Sequence, residues 1–389
     1  MSNWQSTKEA LLEGLSGKKR EVTSVLLENQ KSYLNETAAT GVTAFGNVAQ
    51  AEKIFMPLIR RVAPSLVAME LIGTQPLSGP VGVVFSQRVR YAQDLSATGG
   101  PAANEEASGE NVYHKYSLIS AGDSDVYTAS DARTNAQITS ALESQGGYEL
   151  NLEMVKKTVE AKTRKLQAKW TIEASQDAAS MHGVDIESEM IAALSDEITR
   201  EMDREVLNRL SGLAGTVRAY DFANADGRYH EEKFVSLAIS VSDLSNQIAV
   251  KTKRGGASWI VVSPDLLTAL RHTPAFVSAT VAGDVAYGNT MFAGTINGTI
   301  RVYVDIYATT NTMLLGYKGS SELDGGLVYA PYVGLMTSQV ITDPTTYDPR
   351  VSLMTRYDLV DFVDTATDLG DSADYYARGT VANLELGYV

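Results

Sequence analysis

Between Asp185 and Leu210 an apolar residue recurs at every fourth position: Met190, Leu194, Ile198, Met202, Val206 and Leu210. That spacing is one stripe of an α-helix, with Ala193 and Leu207 beside it and Glu187, Glu189, Arg200 and Arg204 facing out. Asp185 is placed to cap its start. About 25 residues at ~1.5 Å each make a rod of roughly 35–40 Å.

Strand patterns surround the rod. In residues 81–91, Val81, Val83, Phe85, Val89 and Tyr91 alternate with Ser86, Arg88 and Arg90, so the first set is expected to face a core. Residues 166–173 alternate too, Leu166, Ala168, Trp170 and Ile172 against Gln167, Lys169, Thr171 and Glu173, and a helix is expected over 174–182, ending at His182-Gly183. Residues 258–262 read as a buried strand, after which Ser263-Pro264 opens a helix with Ser as cap. In 301–307, Val302, Val304 and Ile306 oppose Tyr303, Asp305 and Tyr307. Mixed patterns without an internal repeat indicate an α+β protein.

Three stretches have another texture. In residues 1–36, Leu11, Leu12 and Leu15, then Val22, Leu26 and Tyr33, mark two short amphipathic helices, broken at Gly17-Lys-Lys-Arg20 and too weak to stand without a partner. Residues 37–80 read as an extended arm whose helical turns are limited by Pro57 and Pro64. Residues 94–150 are polar and weakly patterned, which suits a projecting loop that reaches a neighbour. The run 316–335, rich in glycine and tyrosine with Pro331, holds no nucleophile–base pair or metal-ligand cluster, only backbone geometry.

The chain of 389 residues is long enough for two or three folded parts. With no cysteine it has no disulfide, thiolate-metal or thiol chemistry. A net charge of −14 argues against tight binding to nucleic acid. No apolar run approaches the ~18–20 residues that cross a bilayer, and the N-terminus lacks a signal-peptide core. His114, His182, His230 and His272 have no metal-ligand spacing, and Gly255-Gly256 lacks a phosphate-loop pattern. Asp358, Asp361, Asp364, Asp368, Asp371 and Asp374 could hold a hard cation, but an acidic, solvated strand and loop accounts for them. The basic cluster Lys156, Lys157, Lys162, Arg164 and Lys165 is either a charge contact between subunits or a solvated strand face. No catalytic, cofactor or metal residue emerges.

Three collinear blocks resemble the major capsid proteins of T-even-type tailed phages: residues 158–185 running into Glu197–Val206, residues 301–335, and Arg60–Leu66 with Gln75–Pro80. The resemblance implies the Hong Kong 97-type capsid fold, an α+β architecture with N-terminal arm, extended loop, long spine helix, and peripheral and axial domains. Residues 1–36 would be an N-terminal helical segment and propeptide, 37–80 the arm, and 81–165 the extended loop. Residues 166–250 would be the peripheral domain with its spine helix at 185–210, 251–340 the axial domain, and 341–389 the return to the peripheral domain. The segment 94–150 is too short for the insertion domain of the T-even relatives.

The implied function is a structural subunit that self-assembles into hexamers, and in one variant pentamers, of an icosahedral or prolate head around double-stranded DNA. It is a virion protein assembled in the host bacterial cytoplasm. The implied partners are other copies of itself and scaffold, portal, vertex and decoration proteins. The DNA would be enclosed without sequence-specific contacts, and no membrane is involved. Family maturation proteases cut after Leu/Ile-x-Glu; among Leu11-Leu12-Glu13, Leu26-Leu27-Glu28 and Leu34-Asn35-Glu36, the last sits where the texture changes. Lys115 is the only lysine between residues 54 and 155, and nothing marks it as a cross-linking residue. A vertex protein of the same fold is one alternative; a soluble α+β enzyme without an identifiable active site is the other.

Overall fold

A computed structural model describes residues 2–15, 17–39, 66–91, 150–222, 230–252, 254–278, 286–287, 290–338, 340–343, 345–362 and 372–384. Two helices open the chain, α1 (Ser2–Leu12) and α2 (Gly17–Ala39). The expected break at Gly17–Arg20 holds at Gly17, whose φ is 56°, while Lys18–Arg20 already form the first turn of α2. The chain also turns at Gly14, whose φ of 83° suits a residue without a Cβ. Leu12, Val22, Leu26 and Leu27 bury themselves with Met69, so the partner these helices need is the body of the protein.

The described part of the 37–80 segment contains α3 (Ala68–Leu71) and β1 (Gly73–Thr74). β2 (Val81–Tyr91) then pairs antiparallel with β3 (Leu150–Glu160) from Val81↔Glu160 to Tyr91↔Leu150. The expected arm and loop positions 40–65 and 92–149 lie outside the described residues.

β4 (Lys162–Lys169) begins and ends four residues earlier than the alternation suggested. Trp170, Ile172 and Glu173 are not strand residues: α4 (Ile172–His182) starts there because the Thr171 side chain accepts a hydrogen bond from the Ala174 amide and caps it. α4 closes at Gly183, as its sequence indicates. The rod follows as α5 (Ile186–Leu213), 28 residues long and capped by Asp185, whose side chain accepts from the Glu187 amide at 3.2 Å. Leu194, Ile198, Met202, Val206 and Leu210 are buried along its stripe.

α5 lies on a five-stranded sheet. Its order is β1, β12 (Leu327–Thr337), β14 (Pro349–Asp361) and β13 (Ile341–Thr342), with β4 also paired to β14. Pro331 cannot donate to the ladder, and the register of β12 on β14 shifts immediately after it.

An eight-stranded sheet forms the second layer system. It runs β5 (Thr216–Asp221), β15 (Tyr376–Ala382), β11 (Thr312–Gly316), β6 (Trp259–Val262), β10 (Ile300–Asp305), β9 (Thr290–Ile296) and β7 (Phe276–Ser278), and β8 (Ala286–Tyr287) joins β9. α6 (His230–Thr252) and α7 (Pro264–Arg271) cover it and share its core. β10 departs from its expected alternation. Val302, Tyr303, Val304 and Asp305 are all buried, and the strand stops before Ile306 and Tyr307, which are exposed. As a central strand between β6 and β9 it is covered on both faces. Ser263 precedes α7, with Pro264 at its first position, but its hydroxyl donates to the Asn311 side chain at 3.1 Å and makes no cap bond.

Candidate assembly surfaces

The β2–β3 ribbon carries the clearest surface, and it reverses a sequence expectation. Val81, Val83 and Phe85 are exposed, at 65%, 42% and 41%. It is the opposite face, with Val84 and Ser86, that is buried. Val84 packs with Leu77, Val159, Val328, Val360 and Phe362 against the five-stranded sheet. Register places Leu152 and Met154 of β3 on the outer face with Val83 and Phe85, and both are exposed. The side chains of Val89 and Tyr91 lie outside the described residues. The result is a ribbon whose inner face is held by its own chain and whose outer face, exposed among the described residues, mixes Val81, Val83, Phe85, Leu152 and Met154 with Gln87, Lys156, Thr158 and Glu160.

The root of the ribbon is fixed by hydrogen bonds. The Gln75 side-chain amide donates to the Phe85 carbonyl (2.8 Å) and its carbonyl oxygen accepts from the Phe85 amide (3.1 Å). The Leu323 carbonyl accepts from the Ser86 hydroxyl (3.2 Å) and the Gln87 amide (3.3 Å). Leu323 lies in the 316–335 run, so those turns hold the ribbon in place. The run begins at Gly316, where an added Cβ would sit 2.2 Å from the Trp259 ring.

α4 is a second uncovered surface. It has no buried residue, and Ile172, Met181 and Val184 are exposed around it. An 11-residue helix without a core of its own is marginal in isolation, which suits an element completed by a neighbour.

Of the basic cluster named from the sequence, Lys157, Lys162 and Arg164 are paired within the chain. Lys157 pairs with Asp361 (3.0 Å), Lys162 with Asp358 (3.2 Å) and Lys169 with Asp348 (2.7 Å). Arg164 binds Glu201 and Glu205 of α5. The Tyr357 hydroxyl donates to Glu205, and burial pushes this phenol far above its ordinary range. Asp361 also meets Arg209 at 3.0 Å. Burial alone would raise the Asp361 carboxyl, but Lys157 and Arg209 outweigh it and hold it below the usual 3.8. Asp374 pairs with Lys251 at 3.6 Å, while Asp364, Asp368 and Asp371 lie outside the described residues. The strand aspartates are thus bound to cations of the same chain, and no group of three metal-type ligands occurs among the described residues.

Of the histidines, His182 ends α4, His230 begins α6 and the His272 ring stacks on Phe234, while His114 lies outside the described residues, as does Lys115. Gly255 and Gly256 sit between α6 and β6, packed against Tyr317 and Ser245. Leu34, Asn35 and Glu36 fall in the last turns of α2. In the competing triplets, Leu12, Leu26 and Leu27 are buried. No described helix is long and apolar enough to cross a membrane.

Sequence reasoning missed Asp203. It is fully buried on α5 and accepts a hydrogen bond from the Val67 amide at 3.1 Å, tying the start of the 66–72 segment to the rod. Its place, one residue beyond Met202 in the apolar stripe, was the available signal.

Comparison with known proteins finds phage major capsid proteins. The major capsid protein of Salmonella phage ViI is 29% identical, with 93% of this chain and 92% of that protein covered. Those of Vibrio phage KVP40 (27%; 90% and 85%) and Enterobacteria phage T4 (28%; 86% and 80%) are similar. Among solved structures, the chain is similar to a Microbacterium phage Oxtober96 protein (TM-score 0.47, 11% identity, 82% and 91% covered) and to the capsid of Myoviridae phage XM1 (TM-score 0.43, 11% identity, 80% and 90% covered). The family model described as major capsid protein Gp23 matches residues 48–381. That match takes in the rod, both sheets and the ribbon, and the chain belongs to the Gp23 major capsid protein family, structural subunits of the phage head.

Proposed function

We propose that the chain builds hexamers of the head by laying the outer face of the β2–β3 ribbon on an adjacent copy. The observation that carries this is the exposed row Val81, Val83, Phe85, Leu152 and Met154, backed by a buried inner face. A shell made of repeated copies needs such complementary edges rather than a pocket. Val83→Asp with Leu152→Asp tests it. The unassembled variant should match the parent in stability within about 0.5 kcal/mol, because both side chains are already in water. It should form no shells; shells of normal yield would refute the ribbon contact.

The spine-helix part on the five-stranded sheet is assigned to the peripheral domain and the eight-stranded sheet with α7 to the axial domain. By sheet membership the axial part would also take in β5, α6 and β15. Residues 37–80 act as the arm and 81–165 as the extended loop. Scaffold, portal, vertex and decoration proteins are the further partners, and packaged DNA is enclosed without sequence-specific contact, in keeping with the net charge of −14. The relatives are major capsid proteins, which favours the hexamer role over a vertex role; copy number per particle separates the two.

Maturation removes residues 1–36 by cleavage after Glu36. Burial of Leu12, Leu26 and Leu27 counts against cleavage at the other two triplets, and the third sits where the sequence texture changes. Since α2 continues to Ala39, its last turns must unwind before a protease can take them as an extended strand. Intact mass of mature particles decides: a chain beginning at residue 37 is expected, and one beginning at Met1 or Ser2 refutes the cleavage.

A further inference from the structure

We infer that α1 and α2 are a clamp seated on a helix-binding groove of the body, and that the clamp holds the root of the β2–β3 ribbon until residues 1–36 are removed. The groove is formed by the 69–77 segment, the 318–322 turn and β12, and its occupant is this chain's own segment 17–30. Apolar packing supplies the floor: Val22, Leu26 and Leu27 of α2 close over Met69. Polar contacts fix the ends. Lys18 pairs with Glu322 at 2.7 Å and Lys19 with Glu70 at 2.7 Å. One turn beyond the leucines, the Asn29 side-chain amide donates to the Leu77 carbonyl (2.8 Å) and the Tyr332 carbonyl (2.9 Å).

These contacts converge on the ribbon root. Glu322, held by Lys18, accepts a hydrogen bond from the Thr74 amide. Leu323, its neighbour, carries the carbonyl that receives Ser86 and Gln87 of β2. Leu77, held by Asn29, packs beneath Val84. A displacement of α2 therefore acts on both ends of the 74–87 stretch.

The groove is built so that its occupant can leave. Without α2, Glu70 still has Arg301 at 3.1 Å and Glu322 still has Lys318 at 3.9 Å, so no carboxylate is stranded. Lys318 also donates to the Met69 carbonyl at 2.7 Å, which stays in place. Lys318 is disfavoured as a cation first by burial and in addition by the nearby Lys18 charge; departure of Lys18 relieves the second of these. Paired buried charges tolerate the loss of an outer partner where a lone one would not. Departure of the clamp thus loosens the ribbon root without unfolding the body, which couples processing to freedom of the ribbon.

The timing of release rests on the proposed cleavage, but the clamp itself is tested in the intact chain. Hydrogen–deuterium exchange is followed on the unassembled full-length protein, in the parent, in Lys18→Glu/Lys19→Glu and in Asn29→Ala. The amides of Gln75, Leu77, Phe85 and Gln87 should exchange about tenfold faster in the charge variant and faster than parent in Asn29→Ala. The Ile260 and Leu315 amides in the larger sheet should not change. If the charge variant also loses protection at Ile260, the neutral Asn29→Ala variant decides alone. Unchanged exchange at the four root amides in Asn29→Ala and in a folded charge variant overturns the clamp, whether or not α2 itself loosens. That result is distinct from failure of the cleavage, which only intact mass of mature particles reads.

Discussion

Asp203 shows how much rests on single buried groups in this chain. Its carboxylate sits inside the stripe of α5 and takes the Val67 amide, a partner that the periodicity around Asp203 does not name. Asp203→Ala should destabilise the unassembled protein by about 1–3 kcal/mol, read by urea unfolding, because the Val67 amide is left buried and unsatisfied. Asp361 is the second case. Its folded carboxyl titrates below 3.8, so its contribution is complete at pH values above that and is lost as pH falls through the lowered value. Lys157→Ala removes the larger of the two pulls, so the midpoint of acid unfolding should move to higher pH; an unchanged midpoint would mean that Arg209 alone sets it. Neither role was legible from the residues in sequence, since a partner brought in from a distant strand leaves no local pattern. Asp185 was legible as a cap because its partner, the Glu187 amide, is two residues away.

Elements were legible in proportion to their length and one-sidedness. The four-residue recurrence in α5 marked the rod, its cap and its buried stripe, because one face is pressed on a sheet along its length. The β2 alternation marked a strand but assigned the wrong face to the interior. Alternation shows that one face is to be buried; it does not say whether the cover comes from the same chain or from another copy. β4 and α4 were divided two residues late because alternation continued past Lys169 while the Thr171 cap had already begun a helix. β10 looked two-faced only because Asp305 and Tyr303 are polar in name; both lie inside the larger sheet. Ile198→Ala should therefore cost about 2–5 kcal/mol in thermal or urea unfolding, as a fully buried side chain in the main core. Met181→Ala, on the uncovered α4, should change the stability of the unassembled chain by less than about 0.5 kcal/mol. A large loss at Met181 would mean that α4 is covered within the chain after all.

At the scale of the molecule, the described residues form two sheet-based cores, a rod and a ribbon, and what distinguishes the chain is what it leaves uncovered. On the proposed reading, further copies cover the exposed ribbon side chains and the coreless α4, and a shell gathers stability from many such repeated contacts. The three sequence blocks pointed to the capsid family because they lie on the rod, on the turns that hold the ribbon and on the arm, positions fixed by architecture rather than by chemistry. Electron microscopy of the purified full-length chain under assembly conditions is the most direct measurement of that account. Closed shells, tubes or sheets with a hexagonal lattice are the predicted result. Small discrete oligomers alone, across concentration and salt, would contradict it.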